Sequence, residues 1–257
     1  MPFTKDLAPS MLHRYSGHAE AVARISWCVD EAAIGVVTGE VGAGKTVAVR
    51  AAIAELDTSR HTLIYLGNPA VGARGIYTSI VARLGGVPRF HRYALIPQAQ
   101  DAIAAEVAER GRRVVVVVDE GHLLGADQLE ELRLLTSADM DSTSPFALVL
   151  VGQPTLRQRL RLGAFAALDQ RIGLRYAIPP MSQADTGEYL AHHLKLAGRS
   201  DTLFSDDAVA RIHKASRGLP RAVNNLAVQA LIAAYAAGAS IVDDKAARAA
   251  VTEVTAE

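Results

Sequence analysis

The sequence predicts an α/β protein, a parallel sheet sandwiched by helices, followed by a small all-helical domain. Three observations carry that expectation. Apolar runs of strand length alternate with helical stretches through the first two thirds of the chain. Val114–Val118 is an unbroken run of valine, the signature of a strand covered on both faces. Gly39-Glu40-Val41-Gly42-Ala43-Gly44-Lys45-Thr46 fits the pattern G-x-x-x-x-G-K-[ST] and lies between an apolar run and a helical stretch.

Taken in order, Ile34–Thr38 reads as the first strand and Val47–Leu56 as the helix after the glycine-rich segment. His61–Leu66 reads as a strand. A helix over about Gly75–Leu84 is broken by Gly85, Gly86 and Pro88. Ile96–Arg110 is helical, Val114–Val118 a strand, Gln128–Thr136 helical, and Phe146–Val151 and Leu174–Ile178 strands. After Pro179-Pro180 the pattern changes. Asp185–Leu196, Asp206–Ser216, Arg221–Ala236 and Asp243–Val254 all have helical character, with Ser205 and Asp206 as cap candidates and Gly218 as a stop. The expected domains are residues 1–180 and 181–257, with the two prolines as the boundary.

The glycine-rich segment is the strongest chemical signal. Its glycines let the backbone turn tightly and aim N–H groups at phosphate oxygens. Lys45 supplies a positive charge for the β and γ phosphates, and the Thr46 hydroxyl suits Mg²⁺. A helix N-terminus directly after the loop favours anions. Asp119-Glu120 ends the valine strand. Asp119 is the candidate for ordering Mg²⁺ and Glu120 for activating water as a general base. An acidic turn after a strand is the bland alternative. Gln153, after the strand ending at Val151, is the candidate sensor of the γ-phosphate, against a role as a helix cap. Arg221 opens a helix at Gly218-Leu219-Pro220-Arg221 and is placed to reach phosphates. Arg171 is the candidate arginine finger toward a neighbouring subunit. For both arginines the alternative is a surface ion pair worth little.

Composition sets bounds. The chain has 257 residues, half of them apolar, with 27 basic and 27 acidic side chains. That suffices for a sizeable core and excludes a global basic field. A lone cysteine, Cys28, rules out an intrachain disulfide. No signal-like apolar stretch follows the first residues, and Ala230–Val242 is too short to span a bilayer. The expectation is a soluble, cytoplasmic protein without a membrane segment.

The wording GEVGAGKT, VVDEGHLL, LEELRLLT, LVLVGQPTLRQRL, LDQRI, YLAHHLKLAG and SRGLPRAVNNLAVQAL, in that order from about Gly39 to Leu231, resembles the ExeA/GspA-type family of AAA+ ATPases. The resemblance implies a P-loop NTPase fold with a helical lid, Mg-ATP as ligand, and ring or helical oligomers with ATP at subunit interfaces. It implies the ATPase roles of Lys45, Thr46, Asp119 and Glu120, and, less directly, those of Gln153, Arg171 and Arg221. The family's usual Asp-Glu-Ala-Gln is Asp119-Glu120-Gly121-His122 here. His122 reads as a loop or packing residue, with a role near the γ-phosphate as the alternative.

Stand-alone members are similar to transposon-encoded helpers of the TniB, TnsC and MuB group, which implies double-stranded DNA and a transposase as partners. Locally, Arg89-Phe90-His91-Arg92-Tyr93 combines basic and aromatic side chains, with Arg74 upstream. Arg74, Arg89 and Arg92 are the candidate phosphate contacts, against a solvated loop. Arg110-Gly111-Arg112-Arg113 and Arg157–Arg161 read as solvated faces or subunit contacts. Tyr15 or His18, in a segment expected to precede the first helix, is a candidate for the adenine. Two other functions remain open: a secretion accessory ATPase that lacks its anchor, and a nucleotide-switched interaction module with negligible turnover.

Overall fold

The computed structural model describes residues 2–4, 7–137 and 144–255. They form helices α1 (Ser16–Asp30), α2 (Lys45–Glu55), α3 (Gly72–Arg83), α4 (Arg92–Ala108), α5 (Ala126–Leu135), α6 (Pro154–Leu160), α7 (Ala166–Arg171), α8 (Gln183–Leu196), α9 (Asp206–Ser216), α10 (Pro220–Ala236) and α11 (Asp244–Thr255), and strands β1 (Ile34–Thr38), β2 (His61–Leu66), β3 (Arg113–Val118), β4 (Ala147–Gly152) and β5 (Ile172–Ala177). All five strands appear within about two residues of the sequence expectation. The chain divides into two compact units. One gathers residues 1–20, 40–47 and 178–257, the other residues 21–39 and 48–177.

The second unit is built on a five-stranded parallel sheet of order β2-β3-β4-β1-β5. One set of alternating strand residues, including Val36, Ile64, Val114, Val116, Leu148 and Leu150, packs in a core with Tyr77, Ile80, Leu95, Ile103, Leu129, Leu132 and Leu156 from the helices. The other set, Val115, Val117, Val149 and Val151, is buried as deeply. A strand buried on both faces needs no polar alternation, which is why the valine run was so legible.

Three local differences have physical causes. α4 starts at Arg92, so Pro97 lies inside the helix, where it forgoes one backbone bond. α1 starts at Ser16, which puts His18 in its first turn and not before it. The short helices α6 and α7 follow β4 and precede β5, where the sequence gives too few turns for periodicity to be read.

In the first unit, Ser182 caps α8 in a reciprocal capping box with Asp185, and Ser205 accepts from Ala208 N–H to cap α9. Each such cap contributes about 1 kcal/mol. α9 ends at Ser216, as the sequence predicts. Arg217 is already left-handed at φ 53° and Gly218 follows at φ 69°. A Cβ on Gly218 would lie 2.1 Å from the Met181 carbonyl oxygen. Gly17 is similarly confined, since a Cβ there would lie 2.6 Å from the Pro179 ring. The helices α9, α10 and α11 pack on one another, and Phe204 bridges Val242. Among the described residues no helix is long and apolar enough to cross a membrane.

This unit holds histidines that are costly to protonate. Burial, with Arg14 and His13 nearby, pushes His18 down to about 4. Burial and the neighbouring His192 and His13 push His193 down to about 4, under the ring of Phe3. A base with a depressed folded pKa contributes stability that is full above its unfolded value, 6.5, and is lost as pH falls toward the folded value. The thermal midpoint is therefore expected to drop between about pH 6.5 and 4, and His193→Gln should flatten that slope; a midpoint independent of pH over this window would contradict the assignment. Gly218→Ala is expected to cost about 2 kcal/mol or more in urea unfolding, and a change within about 0.5 kcal/mol would show the turn to be unconstrained.

Candidate functional site

The glycine-rich segment forms a wrapped loop after β1. Gly39 N–H donates to Gly152 O at 3.3 Å, which ties the loop's first residue to the end of β4. Gly42 and Gly44 both have positive φ, 84° and 85°, and successive conformations of that kind turn backbone N–H groups into an anion-binding hollow. Ala43 N–H donates to Glu40 O. Lys45, 8% exposed, donates from Nζ to Glu40 O at 3.0 Å. Its ammonium is thus folded over the loop's own carbonyl. α2 starts at Lys45, so its N-terminal dipole faces the same hollow. Thr46 is exposed. The residues fit a polyphosphate: the backbone is preset, and a Cβ on Gly44 would meet nothing within 4 Å.

The loop is braced inside its own unit. Arg221 N–H donates to Gly42 O at 3.3 Å, and a Cβ on Gly42 would lie 2.9 Å from that of Arg221. The first turn of α10, opened by Pro220, therefore rests on the loop. Tyr15 is buried, and its hydroxyl lies 3.3 Å from both Ala43 O and Pro179 O. His18 stands beside it, 2% exposed, with neither ring nitrogen hydrogen-bonded.

The acidic turn belongs to the sheet unit. Asp119, 4% exposed, follows β3 and takes a backbone bond to Leu66 O. Its carboxylate accepts from Glu120 N–H at 2.8 Å and from the Tyr65 hydroxyl of β2 at 2.9 Å. Burial and the adjacent carboxylate push the Tyr65 phenol up to about 12, so it stays a donor across the neutral range. Glu120 has left-handed backbone, φ 51° and ψ 33°. For a residue with a full side chain that conformation costs roughly 1 kcal/mol or more, and it recurs where geometry serves chemistry. The turn is held down on the far side. A Cβ on Gly121 would lie 3.2 Å from Val151 O and 3.3 Å from Leu156 Cδ2. Arg159 donates to His122 O at 3.2 Å and to Leu124 O.

Gln153 follows β4 at the N-cap position of α6, and its side chain makes no cap hydrogen bond. Its Nε2 instead lies 3.0 Å from His122 Nε2. His122 Nδ1 lies 3.4 Å from Glu120 Oε2. Glu120, His122 and Gln153 therefore form one contiguous row.

Other sequence candidates fall elsewhere. Arg171 donates to Ser137 Oγ at 2.6 Å and to Thr136 O at 2.8 Å. Arg92, in the first turn of α4, pairs with Glu131, which also accepts from the Tyr77 hydroxyl. Arg74 stacks its guanidinium 5.2 Å from the Phe90 ring centroid. Arg89 is exposed, and its N–H is held by Gln98 Oε1. Phe90 and Tyr93 are 78% and 79% exposed. The clusters read as solvated faces are corrected in part. Arg110 and Arg112 hold the buried Glu106, and Arg159 clasps the acidic turn. Tyr65, Arg159 and the His122–Gln153 contact carried no sequence signal, because each partner is 30 or more residues away.

A parallel sheet with a glycine-rich phosphate loop after β1, paired carboxylates after β3 and a polar residue after β4 defines a P-loop ATPase. The comparisons take the assignment further. The AAA-domain family profile matches residues 29–160. Over 242 residues the chain is 35% identical to General secretion pathway protein A of Aeromonas hydrophila, covering 92% of this chain and 44% of that protein. It thus spans under half of that relative's length. Among solved structures it is similar to Cdc6p from Pyrobaculum aerophilum (TM-score 0.72, 18% identity, 93% of this chain and 67% of that one). It is also similar to Aeropyrum pernix ORC2 (TM-score 0.67, 19% identity, 98% and 70%) and to the Thermotoga maritima RuvB Holliday junction branch migration motor (TM-score 0.61, 18% identity, 92% and 68%). The chain belongs to the AAA-domain ATPase family and is of the ExeA/GspA type.

Replacing Arg159 by Ala removes the donor to two carbonyls under the acidic turn and is expected to cost about 1–3 kcal/mol in urea unfolding. The exposed Arg161 is the control, and its Ala variant should stay within about 0.5 kcal/mol. Equal effects would mean that Arg159 braces nothing.

Proposed function

We propose that this protein binds Mg-ATP, hydrolyses it, and uses the cycle to assemble with copies of itself on double-stranded DNA. The observation that carries the enzymatic part is the left-handed Glu120 beside the buried, doubly hydrogen-bonded Asp119. In this reading Gly39–Thr46 wraps the phosphates and Lys45 exchanges the Glu40 carbonyl for phosphate oxygens. Thr46 and Asp119 hold Mg²⁺, whose part is to neutralise charge on the phosphates. Glu120 takes a proton from the attacking water, and Gln153 orients the γ-phosphate. Arg221 reports phosphate occupancy to α10. Arg171 acts as a finger toward a neighbouring subunit after leaving Thr136 and Ser137. Tyr15 or His18 takes the adenine side.

DNA is supported by the loop around Arg89, where exposed aromatic rings stand next to cationic side chains. The likeness to a RuvB branch migration motor is in keeping with it. A transposase as client, and a cytoplasmic setting, rest on the family resemblance. A second reading follows from the relative in Aeromonas hydrophila: the chain serves as the ATPase part of a secretion accessory protein.

Three variants test the scheme. Lys45→Ala is expected to abolish ATP binding in calorimetry. Glu120→Gln should keep binding and lose turnover by about a hundredfold or more. Arg89→Ala should weaken ATP-dependent anisotropy of a labelled duplex and reduce its salt slope by about one. Arg92→Ala should do less, since Glu131 already neutralises that charge. A wild type without ATPase activity defeats the enzymatic reading, whereas ATPase activity without duplex binding moves the protein to the secretion reading.

A further inference from the structure

The row Gln153–His122–Glu120 is not explained by the roles given to its two ends. With the Gln153 amide nitrogen facing the ring, its polarity follows. An amide Nε2 can only donate, so Gln153 makes His122 Nε2 the acceptor at 3.0 Å. A neutral imidazole that accepts at Nε2 carries its proton on Nδ1. That N–H is buried without a hydrogen bond, and Glu120 Oε2 is 3.4 Å away, a few tenths of an ångström beyond a good bond. A buried donor without a partner is costly, so the arrangement is poised, and a small rotation of Glu120 completes it. Glu120 is free to make that rotation because its side chain is 49% exposed, while His122 is only 14% exposed and is fixed through its carbonyl by Arg159. A Cβ on Gly152 would lie 3.0 Å from His122 N, so β4 and the turn are in close contact here as well.

We propose that His122 is a positioning residue that couples Gln153 to Glu120. While Gln153 donates to Nε2, the ring keeps its proton on Nδ1 and draws the Glu120 carboxylate to itself, away from water. When phosphate recruits the Gln153 amide, Nε2 loses its donor, the Nδ1 tautomer is no longer enforced, and Glu120 is released to act as base. No bond is made or broken other than hydrogen bonds. The inference rests on the proposed role of Glu120.

Two measurements on the full chain test it. In ¹⁵N-histidine NMR of the nucleotide-free protein, His122 should show the Nδ1–H tautomer, and Gln153→Ala should shift it toward a mixture. An Nε2–H tautomer in the wild type overturns the proposal. In steady-state kinetics, His122→Ala removes the group that withdraws the carboxylate and should raise kcat, by up to about tenfold, with ATP affinity within about twofold, because the group positions a base and does not bind ground-state substrate. His122→Gln, whose amide offers both a donor and an acceptor, should return kcat toward the wild-type value. His122→Ala should raise kcat by less in the Gln153→Ala background than in the wild type. Multiplicative effects, or unchanged kcat in His122→Ala, overturn the coupling. Glu120→Gln run beside them separates the two ideas. If it still turns over, the reading of Glu120 fails. If it is inactive while His122→Ala behaves as wild type, the coupling alone fails.

Discussion

β4 is the strand on which the chemistry depends. It lies between β1 and β3, and parallel hydrogen bonding fixes both neighbours against it: Thr38 opposite Gly152, Val118 opposite Leu150. That register brings Gly39, Asp119 and Gln153 out at one edge of the sheet within a residue or two of each other along the strand direction. A shift of one residue would turn every side chain of a strand to the other face. Both faces are buried here, so the sidedness of the core alone would not resist a slip, and helix packing on each face must. The positions of Gly39, the carboxylates and Gln153 are then consequences of where three strands stop, and strand ends are where ligand sites of open parallel sheets generally lie.

What the sequence made legible follows from how local the cause is. β3 announced itself because β-branched residues without alternation fit one environment. The phosphate loop did so because positive-φ backbone needs glycine at Gly42 and Gly44. The helices after Pro180 carried caps whose chemistry is confined to three or four residues, as at Ser182 and Asp185. Side-chain partnerships were invisible for the opposite reason. Tyr65 and Asp119 are 54 residues apart, and Arg159 and His122 are 37 apart. Nothing in the composition of β2 or α6 says which carbonyl or carboxylate the fold will present to them. Arg92 illustrates the same point in reverse: beside Phe90 and Tyr93 it reads as a cation for DNA, and only the fold puts Glu131 against it.

The arginines make a wider argument about charge. With equal numbers of acids and bases, clusters of arginine in this sequence are largely consumed inside the protein. Arg110 and Arg112 neutralise Glu106, Arg159 and Arg171 donate to carbonyls at turns, and Arg113 donates to Asp30 O. Guanidinium suits such work because its planar fork of donors satisfies two acceptors at once and never loses its charge. Of the arginines proposed to contact phosphates, Arg92 is likewise paired with Glu131, whereas Arg74 lies against the Phe90 ring.

The cost of holding Glu120 in left-handed backbone ties these threads together. Such strain persists only where its surroundings over-determine it, and here they do. Tyr65 and the Glu120 N–H fix Asp119 on one side, Gly121 fits against Val151 and Leu156 below, and Arg159 grips the carbonyls that follow. The backbone is thus clamped while the Glu120 carboxylate remains half exposed. A clamped backbone with a half-exposed carboxylate suits the general-base role proposed for Glu120. His122 Nδ1 is a buried side-chain atom without a hydrogen bond, and it lies on the path between the carboxylate and the strand end at Gln153. With the backbone clamped, rotation of the half-exposed Glu120 side chain is a way to relieve that imbalance.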